Sequence, residues 1–194
     1  MAQGGGWLIM KREEIRRALK AVSPVSMADA EHPNKGYHLE VTVTPERLVQ
    51  TVGILDQEGF FIETITGVDW LGEKAALNKE AAAKDAAKAK AAADAGETPT
   101  AAADAGPKAQ DDDVLEVVYD FNRYDAVCRV VLRVRTPRNK PRVPSISGLY
   151  QGALWHERET HDFFGIDFEG HPCLEPLLLP EDADFHPLLK DFNK

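Results

Sequence analysis

Cysteine is nearly absent: the 194 residues hold only Cys128 and Cys173, and neither stands in a Cys-x-x-Cys pair. A disulfide framework and a four-ligand structural zinc site are thereby excluded, and a reducing, cytoplasmic setting is the expectation. No run of about 18 apolar residues occurs, so no segment reads as a bilayer-spanning helix. The apolar patch Trp7-Leu8-Ile9-Met10 is too short for a signal-peptide core and follows no basic stretch. Glycine-rich phosphate loops are missing as well; Thr66-Gly67 and Gly170-His171 are isolated glycines. Base is scarcer than acid, with 23 Lys and Arg against 32 Asp and Glu and a net charge of −9, which argues against a nucleic-acid binder.

What is present reads as a small domain of mixed elements. Residues 8–22 place Leu8, Ile15, Leu19 and Val22 on one side of a short helix that Pro24 ends. Tyr37 to Thr44 alternates, with Leu39, Val41 and Val43 on one face of a strand. Thr44-Pro45 opens a helix with Leu48, Val49, Val52 and Leu55 at helical spacing and Gly59 as its stop. Strands follow at Phe60–Thr66, from Val114 (Leu115, Val117, Tyr119 and Phe121 inward) and at Val127–Arg135. In the last, Cys128, Val130, Leu132 and Val134 face the core, which makes Cys128 an inert buried thiol. The turn Asn122–Asp125 is of hairpin length. Thr136–Pro144 carries three prolines and reads as an extended loop, and Gly152–Phe164 as a last helix stopped at Gly165. The expected fold is α+β: a small open sheet, mixed or antiparallel, with helices on one face. Its domain comprises residues 1–74 and 114–165.

Two further stretches differ from this domain. Seventeen of the 36 residues from 75 to 110 are alanine, and Glu80–Lys84 spells EAAAK, a semi-rigid solvated helix with no apolar face. The span 75–113 therefore reads as a low-complexity insertion, either a passive surface excursion or a spacer to a partner. The other stretch, Ile166–Lys194, has neither helical nor strand period and is broken by Pro172, Pro176, Pro180 and Pro187. It nevertheless carries Leu174, Leu177, Leu178, Leu179, Phe185, Leu188, Leu189 and Phe192. Each such side chain gains about 1.5–3 kcal/mol on burial. The segment must lie on its own domain or wrap a neighbour, and the second reading is favoured for at least part of it. Charge is segregated too. Six bases and no acid lie between Ala126 and His156, and ten acids against three bases from Glu157 onward. These regions either pair with each other or offer two surfaces of opposite sign, the basic strand at 129–142 being a second candidate surface.

The motif that invites a chemical reading is Trp155-His156-Glu157-Arg158-Glu159-Thr160-His161. A zinc protease needs histidines four apart on one helix face, whereas His156 and His161 are five apart, roughly 140° round a helix. Glu157 with His161, and Arg158 with Asp162, read as i, i+4 surface pairs. Glu157, Glu159 and Asp162 have no nucleophile beside them to serve as a general acid/base set. His171 and His186 each precede a proline, which suits extended backbone and turns. No catalytic, cofactor-binding or metal-ligating residue is assigned; a metal site on Glu157, His161 and His171 is the weaker alternative.

The run Glu157-Arg158-Glu159-Thr160-His161-Asp162-Phe163-Phe164-Gly165-Ile166 resembles the signature of the 30 kDa (C-type) subunit of NADH-quinone oxidoreductase, respiratory complex I. Phe168-Glu169-Gly170-His171-Pro172 and His186-Pro187-Leu188-Leu189-Lys190-Asp191-Phe192 are similar to that family's later motifs, and Gly67-Val68-Asp69 and Val143–Ile146 also fit. The resemblance spans roughly residues 37–74 and 114–192. It implies a non-catalytic, peripheral-arm subunit of a membrane-associated, ion-translocating electron-transfer complex, on the cytoplasmic side of the inner membrane. Such a subunit docks on the hydrogenase-like large (D-type) subunit and on a cluster-binding small subunit. Iron–sulfur clusters and any flavin, nickel or quinone belong to the partners. The interface residues it implies are Glu157, Arg158, Glu159, Asp162, Phe163, Gly165, Phe168, Gly170, His171, Pro172, His186, Pro187, Lys190, Asp191 and Phe192. The equivalent subunit of an energy-converting membrane-bound nickel–iron hydrogenase, or a stand-alone interaction module, are the alternatives. Leu189 stands where the family ending has arginine, and the insertion is atypical.

Overall fold

A computed structural model describes residues 4–72 (side chains from Arg12 onward), 113–125 and 127–192. The alanine-rich insertion lies outside the described residues apart from Asp113, as does the side chain of Leu8. The elements are α1 (Gly4–Lys20), β1 (Ser26–Asp29), α2 (His32–Lys35), β2 (Leu39–Val43), α3 (Pro45–Gln57), β3 (Phe61–Asp69), β4 (Val114–Asn122), β5 (Val130–Pro137), β6 (Arg142–Pro144), α4 (Ala153–Phe164) and β7 (Asp167–Glu169).

Five strands form one open sheet in the order β1-β2-β5-β4-β3. Within it β2 and β5 run parallel; the other neighbours are antiparallel. Register places Val41 beside Leu132, Leu132 beside Tyr119 and Tyr119 beside Ile65. Each strand therefore sends its alternate apolar residues to the same face, because successive side chains point to opposite sides. Leu39, Val41, Val117, Tyr119, Phe121, Val130, Leu132 and Val134 are all fully buried there. Helix α3 covers β5 with Leu48, Val52 and Leu55, α1 packs on α3 through Ile15 and Leu19, and α4 crosses β3. The expected α+β sheet with helices on one face is the architecture found.

The opposite face carries ion pairs. Glu116, with no exposed surface, accepts from Arg133 at 2.7 Å and from Arg135 at 2.8 Å, and Arg133 reaches Glu40 at 3.1 Å. Arg129 pairs with Glu63, and outside this sheet Arg142 of β6 pairs with Asp167 and Glu169 of β7. Most of the basic strand is thus answered by this chain's own carboxylates, so the reading of a free basic surface at 129–142 gives way to internal pairing.

Several short elements depart from the sequence reading. Strand β1 and the single turn α2 have no counterpart in it, and β5 begins at Val130, which makes the β4–β5 connection longer than a tight hairpin. The proline-rich stretch and the start of the tail, both expected to be irregular, contain β6 and β7, which pair in parallel as a separate two-stranded sheet. Three residues are too few to show a period, and pairing over such a length is decided by what lies alongside. Strands β3 and β4 bracket the insertion: Trp70 donates to the Val114 carbonyl at 3.0 Å, so the chain leaves and returns at one point.

Candidate interaction surface

Helix α4 is the frame of the surface. Its end is fixed by Gly165, at φ 68°, whose N–H returns to the His161 carbonyl; a Cβ there would also meet the His186 ring at 2.6 Å. On its inner side Phe164 lies against Gly67 of β3, where a Cβ would stand 2.4 Å from the ring. That close approach seats the helix on the sheet.

Glu157 points inward rather than along the surface, so the expected pair with His161 does not form. It is fully buried and accepts from Ser145 Oγ at 2.6 Å and from the Ile146 N–H at 2.8 Å, holding the turn after β6. Burial raises its pKa to about 7, against the pull of those two hydrogen bonds. His171 Nε2 lies 4.0 Å away, but that nitrogen faces the Leu154 carbonyl at 3.1 Å, and Nδ1 accepts from the Cys173 N–H at 3.1 Å. Tyr119, its hydroxyl without a protein hydrogen-bond partner, is also pushed well above the usual range by burial and by Glu157. His161 turns instead to the Ile166 carbonyl.

Arg158 and Asp162 do not pair with each other either; both hold the C-terminal arm. Arg158 donates to the carbonyls of Glu175 and Pro176, each at 2.9 Å. Asp162 Oδ2 accepts the three consecutive N–H groups of Leu177, Leu178 and Leu179 at 2.8, 2.7 and 3.2 Å. Burial works to raise the Asp162 pKa, but these donors and the nearby His161 outweigh it and leave it lowered. Farther along, His186 Nδ1 meets the Asp162 carbonyl at 2.8 Å and the Leu188 N–H the Phe163 carbonyl at 3.1 Å. The Lys190 N–H reaches Asp69 Oδ2 at 2.9 Å. Arg138 bridges Asp69, at 3.1 Å, and Asp191, at 2.6 Å. Asp69 is likewise lowered: burial opposes, and Lys190, Arg138 and the Leu71 N–H prevail.

The arm is therefore tied to its own domain by its backbone, while much of its apolar surface faces away. Leu174 and Leu189 pack against the core. Leu178 is 60% exposed, Leu188 53%, Phe192 41% and Phe185 40%, and Trp155 of α4 is 60% exposed with Arg158 against its ring. Phe185 and Phe192 meet in a tilted arrangement with ring centres 5.5 Å apart. Of the other residues singled out by sequence, Phe168 is buried, Phe163 partly so, and Glu159, Gly170 and Pro172 are exposed. Pro187 is half-buried and follows His186 in the arm. Sequence reasoning missed Arg138 and the anchoring role of Asp69, although Gly67-Val68-Asp69 stood among the family-like stretches. Trp155 opened the motif read in the sequence, but nothing there marked it as an exposed side chain. Among the described residues no group of three His, Cys, Asp or Glu side chains is placed to hold a metal ion.

An open α+β sheet domain wearing an extended arm with an outward apolar side defines the class of protein. The chain belongs to the family described as the respiratory-chain NADH dehydrogenase 30 kDa subunit, whose model matches residues 41–194. It is 36% identical over 157 residues to the C subunit of the NADH-quinone oxidoreductase of Roseiflexus sp., covering 79% of this chain and 68% of that one. It is also 43% identical over 82 residues to the C subunit of the F420H2 dehydrogenase of Methanosarcina mazei, covering 42% of this chain and 52% of the relative. In fold it resembles a chain of an archaeal membrane-bound sulfane sulfur reductase, with TM-score 0.64 at 21% identity, covering 94% of this chain and 85% of that one. No helix among the described residues is long and apolar enough to cross a membrane.

Proposed function

We propose that this chain is the non-catalytic 30 kDa subunit of a membrane-associated, ion-translocating electron-transfer complex of the NADH-quinone oxidoreductase type. It docks through α4 and the 166–194 arm on the hydrogenase-like large subunit, and the redox groups are held by that subunit and its cluster-binding neighbour. Residues 1–74 and 114–165 act as the one domain that carries the arm, and the chain lies peripherally on the cytoplasmic side of the inner membrane, held there through its partner subunits.

One observation carries the reading: the arm's backbone is anchored at home through Leu177–Leu179 and Lys190 while Leu178, Phe185, Leu188 and Phe192 are left outward. A segment built only to close its own domain would bury those side chains, since exposed apolar groups in contiguous array mark contact sites. The exposed acids Glu175, Glu181, Asp182 and Asp184 have no ion pair among the described residues. The receiving face is accordingly apolar with basic groups at its rim, which speeds association at low salt. Relatives named for NADH and for F420H2 both match, which supports a role that does not depend on the electron donor.

The test is co-expression with the large subunit. The double variant Leu178→Asp/Phe192→Asp folds as the wild type does but no longer co-purifies. Undiminished co-purification would refute docking through the arm.

A further inference from the structure

We propose that Asp162 and Asp69 are positioning residues, two carboxylate latches that set the arm in its docking shape in the free chain, before any partner arrives. The inference rests on the docking reading above and adds how the surface is prepared.

Three consecutive backbone N–H groups converge on one oxygen of Asp162. That convergence requires Leu177–Leu179 to curl round the carboxylate, a concave arrangement of amides suited to an anion. The curl turns Leu178 outward while Leu177 and Leu179 stay half-buried. Thirteen residues after Leu177, the Lys190 N–H closes on Asp69, whose other partners are Arg138 and the Leu71 N–H. Between the two latches the arm is held by His186 and by the Leu188 N–H, again on α4. The segment carrying Leu178, Phe185 and Leu188 is thus clamped at both ends by groups from α4 and from the end of β3. Both carboxylates are almost fully buried, Asp69 at 4% and Asp162 at 3% exposed, and a buried carboxylate satisfied by backbone donors ties their positions to its own. A proline-broken segment left free would lose its conformational entropy at the moment of docking. An arm already ordered does not, which is the physical basis of pre-organisation.

The arm's amides in the free full-length chain, read by hydrogen exchange, report the latch directly. In the wild type the N–H groups of Leu177, Leu178, Leu179 and Lys190 exchange slowly. In Asp162→Asn, protection at 177–179 falls roughly tenfold or more, as expected for losing bonds to a charged acceptor, while Val117 and Leu132 in the sheet keep theirs. Asp69→Asn lowers protection at Lys190 by more than the loss its lower overall stability brings to the sheet amides. Affinity for the co-expressed large subunit falls about tenfold in Asp162→Asn, in proportion to the ordering it must then supply. If Asp162→Asn does not fold, Arg158→Ala, which frees the carbonyls of Glu175 and Pro176, loosens the same segment. Arm amides that exchange at unstructured rates in the wild type overturn the proposal. So does lost protection with unchanged affinity, because the arm would then be ordered to no purpose in docking. A wild-type chain with a protected, Asp162-dependent arm that binds no large subunit fails on the docking reading instead.

Discussion

Glu157→Gln isolates the consequence of burying a carboxyl in the middle of α4. The folded group has a pKa of about 7 against an ordinary value of 4.5, because burial disfavours its charged form more than Ser145 and Ile146 favour it. The sign follows from linkage: between those values the folded chain holds a proton that the unfolded chain has released, so stability falls as pH rises through that window. At about 1.4 kcal/mol for each tenfold change in proton affinity, the wild type loses on the order of 3 kcal/mol between pH 4.5 and pH 8 from this residue. Glutamine keeps the shape. Its carbonyl accepts the Ile146 N–H, and its amide donates to Ser145 Oγ, which then turns its own proton towards Ser147, 2.7 Å away. Chemical denaturation of both proteins across pH 5 to 8.5 makes the measurement, and their difference cancels other titrating groups such as Asp120, also raised by burial. Glu157→Gln matches the wild type near pH 5 and exceeds it by about 2–3 kcal/mol at pH 8.5. Parallel profiles would refute the argument. A variant several kcal/mol weaker at every pH would show that the fold needs the carboxylate ionised, with His171 protonated beside it.

Other outcomes follow from the same geometry. Gly67→Ala drives a Cβ into the Phe164 ring at 2.4 Å; it lowers stability by roughly 1–3 kcal/mol, as overpacking does, and a thermal melt reads it. Asp69→Asn costs about 2–3 kcal/mol at neutral pH by removing the charge that Arg138 and the Lys190 N–H share. Because the folded Asp69 pKa lies below its ordinary 3.8, that contribution is fully present above 3.8 and fades as pH falls through the folded value. Wild-type and variant stabilities therefore converge in strong acid, which denaturant midpoints would show. Cys173 is exposed, whereas Cys128 is 4% exposed with its thiol pKa raised by burial. A thiol reagent labels Cys173 at once and Cys128 only on unfolding, as mass spectrometry of the labelled chain would reveal.

The sheet and its helices were legible because their patterns are long. Leu115, Val117, Tyr119 and Phe121 recur at every second position of β4, and α3 carries Leu48, Val52 and Leu55 at helical spacing. Such periods need only a common buried face, and any compact fold of this chain provides one. The residues of the α4 motif were legible as a set, and they carry the family resemblance. Their roles were not. Glu157 and Asp162 look alike in sequence, each a carboxylate in a charged run; one ends buried against the turn after β6 and the other grips three amides of the arm. A helical period assigns faces but not partners, and here the partners lie 11 to 17 residues farther along or behind in the chain.

By itself the sequence determined the α+β class, the buried stripe of each main element, and a proline-broken arm rich in apolar side chains, since these depend on local spacing and composition. Tertiary structure alone decided the rest. It set the parallel pairing of β2 with β5, turned the basic strand into internal ion pairs, and distributed carboxylates between core and arm. Those outcomes depend on which groups meet across long stretches of chain, where a hydrogen bond or charge pair forms only if both partners arrive together.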